Sequence, residues 1–251
     1  VPQRVPVGEV TRTLKLSLEW AGDGAAHLRG LMDRMGDEAF GKPSALPGWT
    51  RAHVLTHVAR NADGLMNLLQ WARTGVETPA YASREARAAD IEAGAQREPA
   101  AIREDVVATS DRLAQVVKAM PKEAWTASVR NSQGLEVPAT EIAWMRAREM
   151  WIHSVDLDVG ASFEDFPRPM LCELVGDVVG MLADRDGVPG ARLVASDDPE
   201  KAWTLADGRV TVEGPVADLA AWVSGRGRSR ALRAHTVEGE RTTPPDLPAW
   251  L

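Results

Sequence analysis

Apolar residues recur at helical spacing along four long stretches of the chain, and each stretch predicts an amphipathic helix. The first runs from Glu9 to Met35, with Leu14, Leu16, Leu18, Trp20, Leu28, Leu31 and Met32 as its apolar supply. Gly22 and Gly24 weaken its middle. A loop over residues 41–50 ends at Thr50, an N-cap for a second helix carrying Val54, Leu55, Val58, Leu65, Leu68, Leu69 and Trp71. That helix stops near Gly75. The polar stretch from Glu77 to Gly94 is interrupted at Pro79 and leaves room for a short helix. Pro99 opens a third long helix, to Met120, and a fourth spans Pro138 to Val159. Four helices with one apolar stripe each bury those stripes by packing into a bundle.

The pattern changes after the loop at residues 160–169. Met170 to Leu182 reads as a helix, whereas Ala191–Ala195, Ala202–Leu205 and Arg209–Val212 have strand length. Asp207-Gly208 carries a hairpin-type turn signal between the last two. Pro215 then opens a helix through Val216, Leu219 and Trp222. The expectation is a multidomain α and α+β chain: a four-helix bundle over residues 1–165 and a small mixed helix–sheet domain over 166–251. Val1 to Val7, with two prolines, reads as a loose lead-in.

Composition narrows the partners. A net charge of -7 over 251 residues argues against nucleic acid or anionic lipid. A small anionic substrate would need specific arginines instead of a global field. Cys172 is the single cysteine, so no internal disulfide, Cys-rich zinc site or iron–sulfur cluster can be built. This fits a reducing cytoplasm, and the expected location is cytoplasmic. No apolar run reaches membrane-spanning length, and the start lacks the basic-then-apolar order of a signal peptide. Nothing here opposes a monomer.

The candidate chemistry lies on the second and fourth helices. Glu149 and His153 are four residues apart and share one helical face, as do His53 and His57. Convergence of one such pair with His57 supplies two imidazoles and a carboxylate, a ligand set for a divalent ion such as zinc that leaves a coordination position open. The plainer alternative is a Glu149–His153 hydrogen bond beside a core histidine. Apolar neighbours (Trp144, Met145, Met150, Trp151 and Ile152) favour the metal, because a buried carboxylate demands a partner. His53 falls in the first helical turn and reads as a cap neighbour or ligand-orienting group. Asn61 is a candidate for orienting a ligand or substrate, or a solvated helix-surface residue; Asp156 and Asp158 are equally candidates for orienting an imidazole or for ordinary salt bridges. Val54 follows His53, so the metallopeptidase HExxH pattern is absent.

The segments Gly48-Trp-Thr-Arg-Ala-His-Val-Leu-Thr-His-Val-Ala-Arg-Asn-Ala62 and Trp144-Met-Arg-Ala-Arg-Glu-Met-Trp-Ile-His-Ser-Val-Asp-Leu157 resemble the mycothiol-dependent maleylpyruvate isomerases. These sit within the superfamily of DinB-like metal-binding four-helix bundles. Residues 71–81 and 131–138, together with Gly225-Arg-Gly227, extend the resemblance. It implies zinc held by His57, Glu149 and His153, with mycothiol as the thiol cofactor. It further implies a catalytic arginine from the C-terminal domain, for which Arg226 is the match; Arg228 and Arg230 lie close enough to leave the choice open. The implied reaction is the cis–trans isomerisation of 3-maleylpyruvate, a dicarboxylate, to 3-fumarylpyruvate in gentisate catabolism. Thiolate adds to the double bond, the adduct rotates, and the thiolate leaves. A mycothiol S-transferase acting on another electrophile and a non-catalytic, metal-stabilised binding protein remain as alternatives. Tyr81 could hydrogen-bond substrate or simply pack, and Cys172 reads as a core residue.

Overall fold

Two threonines set the starts of the first two long helices. Thr13 caps α1 (Leu14–Asp33) by accepting from the Leu16 N–H, so the helix starts five residues later than its apolar pattern suggests. The computed structural model describes residues 12–183, 185–227 and 229–250; the expected lead-in, and the expected helix from Glu9 to Thr11, lie outside them. Thr50 caps α2 (Arg51–Thr74) by accepting from the His53 N–H, while His53 Nδ1 accepts from the Thr50 N–H. Gly75, at φ 71°, closes α2 in the left-handed conformation that a Cβ disfavours.

Ser83 caps the short α3 (Arg84–Ala95), and Pro99 occupies the first turn of α4 (Pro99–Lys118). A small antiparallel hairpin, β1 (Ser128–Arg130) and β2 (Glu136–Pro138), leads into α5 (Thr140–Asp156). The long helices pack chiefly as α1 on α5 and α2 on α4, with α2 also meeting α3 and α5.

Gly24 does not break α1. A Cβ at this position would lie 2.7 Å from the Trp151 indole nitrogen and 2.8 Å from Met150 Cβ. The same indole donates to the Trp20 carbonyl at 2.8 Å, locking α1 onto α5. The glycine is therefore the condition for close approach. Gly24→Ala is expected to lower the melting temperature, since overpacking costs about 1–3 kcal/mol and Met150 Cβ cannot swing aside. The gain in helix propensity, about 1 kcal/mol, offsets only part of this. Thermal unfolding checks it, and an unchanged midpoint would contradict the packing argument.

The chain divides into two compact units, one of residues 13–161 and one beginning at Ser162. The second contains α6 (Arg168–Ala183), α7 (Val216–Val223) and a five-stranded sheet ordered β4-β3-β5-β6-β7. Its strands are β3 (Ala191–Ala195), β4 (Ala202–Leu205), β5 (Val210–Gly214), β6 (Arg233–Thr236) and β7 (Arg241–Thr242).

The expected hairpin at Asp207-Gly208 is corrected here. β4 and β5 do not pair: β3 lies between them, antiparallel to β4 and parallel to β5. Ala191 faces Leu205 on one side and Val210 on the other, so the turn straddles the start of β3. Burial explains the arrangement, because Ala191, Leu193 and Ala195 are all fully buried and take the inner position. The turn passes so close to Gly190 that a Cβ there would collide with Asp207. Among the described residues no helix is long and apolar enough to cross a membrane.

Candidate metal centre

The apolar core of the bundle unit includes a cluster around Leu28, Met32, Leu55 and Val58 and another around Leu65, Leu68, Leu113 and Ile142. The unit also buries polar side chains: Ser17, Thr56, His57, Asn61, Thr109, Arg146, His153, Ser154 and Asp156. Buried polar groups survive folding only when they are paired. Most of these are, and the pairing builds a site.

α2 supplies His57, and α5 supplies Glu149 and His153 one turn apart. His57 Nε2 lies 2.8 Å from Glu149 Oε2 and 3.0 Å from His153 Nε2, and His153 Nε2 lies 3.0 Å from the same carboxylate oxygen. The three atoms form a nearly equilateral triangle. Its size suits one small divalent ion held by these three residues, and three protein ligands leave coordination capacity for a further ligand. The donor set, two imidazoles and a carboxylate, is that of borderline metals such as zinc.

Second partners orient the ligands. His153 Nδ1 is 2.9 Å from Asp156 Oδ2, and Asp156 is fully buried. An N–H donated to that carboxylate leaves Nε2 facing the triangle, the carboxylate–histidine arrangement common around metals. Asp156 thus takes the orienting role foreseen for it, and Asp158 does not: it sits past the helix end at φ 54°, and its carbonyl accepts from Arg51. Asn61 turns inward, where its Oδ1 accepts from Arg146 at 2.8 Å; it orients an arginine, not a ligand. His53 stays with Thr50 and Glu92, away from the triangle. Trp49 covers both α2 histidines, with ring centroids 5.7 Å from His57 and 6.1 Å from His53.

Two arginines near the site escaped the sequence reading. Arg146, 5% exposed, donates to the Val58 carbonyl, Asn61 and Ser110. Burial lowers its pKa to about 10, against the pull of Glu149, so it stays charged at neutral pH. Its position was signalled: residues 146, 149 and 153 share one helical face. Arg87, on α3, places Nη2 3.0 Å from His57 Nδ1 and its guanidinium carbon 5.4 Å from the centre of the Tyr81 ring. No such pattern marks it in the polar stretch before Pro99. Tyr81 is half-buried, and burial first, then Glu149, raises its phenol pKa.

The histidines differ electrostatically. Burial lowers the pKa of His57, with Glu149 opposing. Burial also works to lower His153, but hydrogen bonds to Asp156 and Glu149 win and raise it to about 9. The Glu149 carboxyl, which burial alone would raise, is held well below its usual range by His57 and His153.

Metal ligation requires a neutral His153, so a divalent ion must displace its proton at any pH below about 9. Uptake near neutral pH is therefore expected to release about one proton per ion, with affinity falling roughly tenfold per unit as pH drops. Calorimetry in buffers of different ionisation enthalpy reads this number, and zero release would contradict the protonation pattern. Asp156→Asn removes the anion behind the imidazole and is expected to weaken metal binding about 10–100-fold.

Arg226 lies in the other unit, in the turn after α7. Its Nη1 donates to the Ser224 carbonyl at 2.7 Å, and Gly225 and Gly227 flank it at φ 75° and 121°. Arg228 lies outside the described residues. Cys172 is half-buried on α6, where burial first raises its thiol pKa and the nearby Arg168 works to lower it.

A family model described as the mycothiol maleylpyruvate isomerase N-terminal domain matches residues 21–158. Two crystal structures are similar over nearly the whole chain. One is of a mycothiol-dependent maleylpyruvate isomerase, at 35% identity and a TM-score of 0.88. The other is of a histidine-to-alanine mutant of such an isomerase, at 34% identity and a TM-score of 0.87. Each comparison covers 95% of this chain and 98% of the other. No curated protein matches.

Proposed function

Because the chain belongs to the mycothiol maleylpyruvate isomerase family, we propose that it converts 3-maleylpyruvate to 3-fumarylpyruvate in gentisate catabolism, with zinc and mycothiol as cofactors. The observation that carries this reading is the likeness to a mycothiol-dependent maleylpyruvate isomerase over 95% of the chain at 35% identity; the convergence of His57 Nε2, Glu149 Oε2 and His153 Nε2 within 3.0 Å of one another supports its metal.

Isomerisation requires a carbon–carbon double bond to become single for long enough to rotate. Zinc, bound by these three residues, would supply Lewis acidity that favours the thiolate form of mycothiol, the nucleophile for that change. The chain supplies the rest. Asp156 keeps the His153 proton on Nδ1, so that Nε2 has a lone pair to give. Arg226 is assigned a substrate carboxylate, a match for its planar donor fork. Cys172 has no part in the reaction. A cytoplasmic setting fits a thiol that must stay reduced.

A mycothiol S-transferase could use the same ligand set, and thiol accounting separates the two. The test incubates zinc-loaded protein with maleylpyruvate and limiting mycothiol. An isomerase returns all of the free thiol after many turnovers. Stoichiometric loss of thiol into an adduct would replace the isomerase reading with the transferase.

A further inference from the structure

Arg87 is the bundle arginine whose guanidinium meets a member of the metal triad, His57, among the described residues. Arg60, Arg97 and Arg103 each pair with an aspartate, and Arg146 is held by a carbonyl, an amide and a hydroxyl. Arg87 is half-buried and, among the described residues, makes no carboxylate ion pair. It meets His57 Nδ1 at 3.0 Å and Tyr81, whose ring centre lies 5.4 Å from the guanidinium carbon and whose hydroxyl oxygen it also engages. A partly desolvated guanidinium without an anion is an anion-binding group.

The hydrogen bond to His57 adds a constraint. A guanidinium only donates, so His57 Nδ1 must accept, and the single proton of the neutral ring then resides on Nε2. Metal ligation through Nε2 needs the reverse, with the proton on Nδ1. Two N–H groups would then face each other. The Arg87–His57 bond and metal ligation by His57 Nε2 exclude one another.

We propose that Arg87 is a carboxylate clamp for the dicarboxylate substrate, released from His57 when that histidine binds metal and turned toward the substrate at the same site. Tyr81 is the platform on which the guanidinium turns. The cation–π contact with its ring survives the change of partner, and its hydroxyl, which faces Arg87 in the free protein, is a donor for the same carboxylate. This inference rests on the metal reading of the triad and takes the dicarboxylate class of its ligand from the proposed function, but its binding test requires no turnover.

Its test measures equilibrium binding of fumarate, an unreactive dicarboxylate here, to zinc-loaded and metal-free protein, without mycothiol. The parental protein, Arg87→Ala and Arg87→Lys are compared, with helical content checked by circular dichroism. Zinc is expected to tighten fumarate binding in the parental protein. In Arg87→Ala that tightening is expected to shrink about tenfold, the worth of one charge-assisted hydrogen bond. Arg87→Lys keeps charge but loses the planar fork and falls between the two, so it carries the comparison if the alanine variant folds poorly. Arg87→Ala should also bind zinc at least as tightly as the parent, since a competing contact is gone.

Equal zinc-dependent tightening in parent and variants would overturn the proposal. So would weaker zinc binding by Arg87→Ala, which would make Arg87 a support for His57. If the binding pattern holds but maleylpyruvate does not turn over, only the isomerase reading fails; turnover with Arg87-independent fumarate binding removes only the clamp.

Discussion

Glu149→Ala is expected to abolish stable zinc uptake and to reduce maleylpyruvate turnover to background. Glu149 is the one anion of the triangle, and its Oε2 touches both His57 and His153. Without it, two imidazoles would have to hold a dication in the neighbourhood of two cationic guanidinium groups, Arg87 and Arg146. Structural zinc sites are worth about 10–16 kcal/mol, so losing one of three ligands should cost on the order of 1000-fold in affinity. His57→Ala and His153→Ala are expected to behave alike. The check is metal content after dialysis at matched pH, with helical content measured alongside. Full metal retention by any of these variants would remove that residue from the ligand set.

Arg226→Ala is expected to have the second large effect, as the proposed carboxylate contact requires. The chain is net acidic at -7, so an anionic substrate gains nothing from its overall field and depends on local cations. Loss of a bidentate carboxylate contact should lower catalytic efficiency about 100-fold, near the upper range for a charge-assisted hydrogen bond. Zinc content should stay parental, and added zinc should not restore activity. Arg226→Lys keeps charge without the fork and should lose less. Arg228→Ala and Arg230→Ala are the comparisons: near-parental efficiency in Arg226→Ala with loss in a neighbour moves the assignment there. No loss in any of the three removes the arginine from the mechanism.

Periodicity made the bundle legible, and local signals made its ends legible where capping chemistry was present. Thr50 and Gly75 bound α2 as their types suggest, and Pro99 opens α4. The triad was legible for the same reason: four-residue spacing in a helix dictates a shared face, whatever the tertiary context. What failed was information held between elements. Gly24 reads as a helix weakness until Trp151 packs against it. Asp207-Gly208 signals a reversal equally well whether the flanking strands pair or straddle a third, so β3 between them was invisible. β6 and β7 are short and largely half-exposed or exposed, and carry little alternation to detect. Arg87 sits in a polar stretch where nothing in the spacing says which cation turns inward. Arg146 was within reach, since it shares the helical face of Glu149 and His153.

Zinc and mycothiol together are expected to be required for the isomerisation. The direct measurement is the geometry of the product formed from 3-maleylpyruvate, followed by proton NMR through the vinyl coupling. Four conditions are compared: zinc-loaded or metal-free protein, each with and without mycothiol. The expected result is trans product only where zinc and mycothiol are both present, with mycothiol recovered unchanged. Zinc-loaded protein that leaves the cis substrate intact in the presence of mycothiol would contradict the claim, as would equal conversion without the thiol.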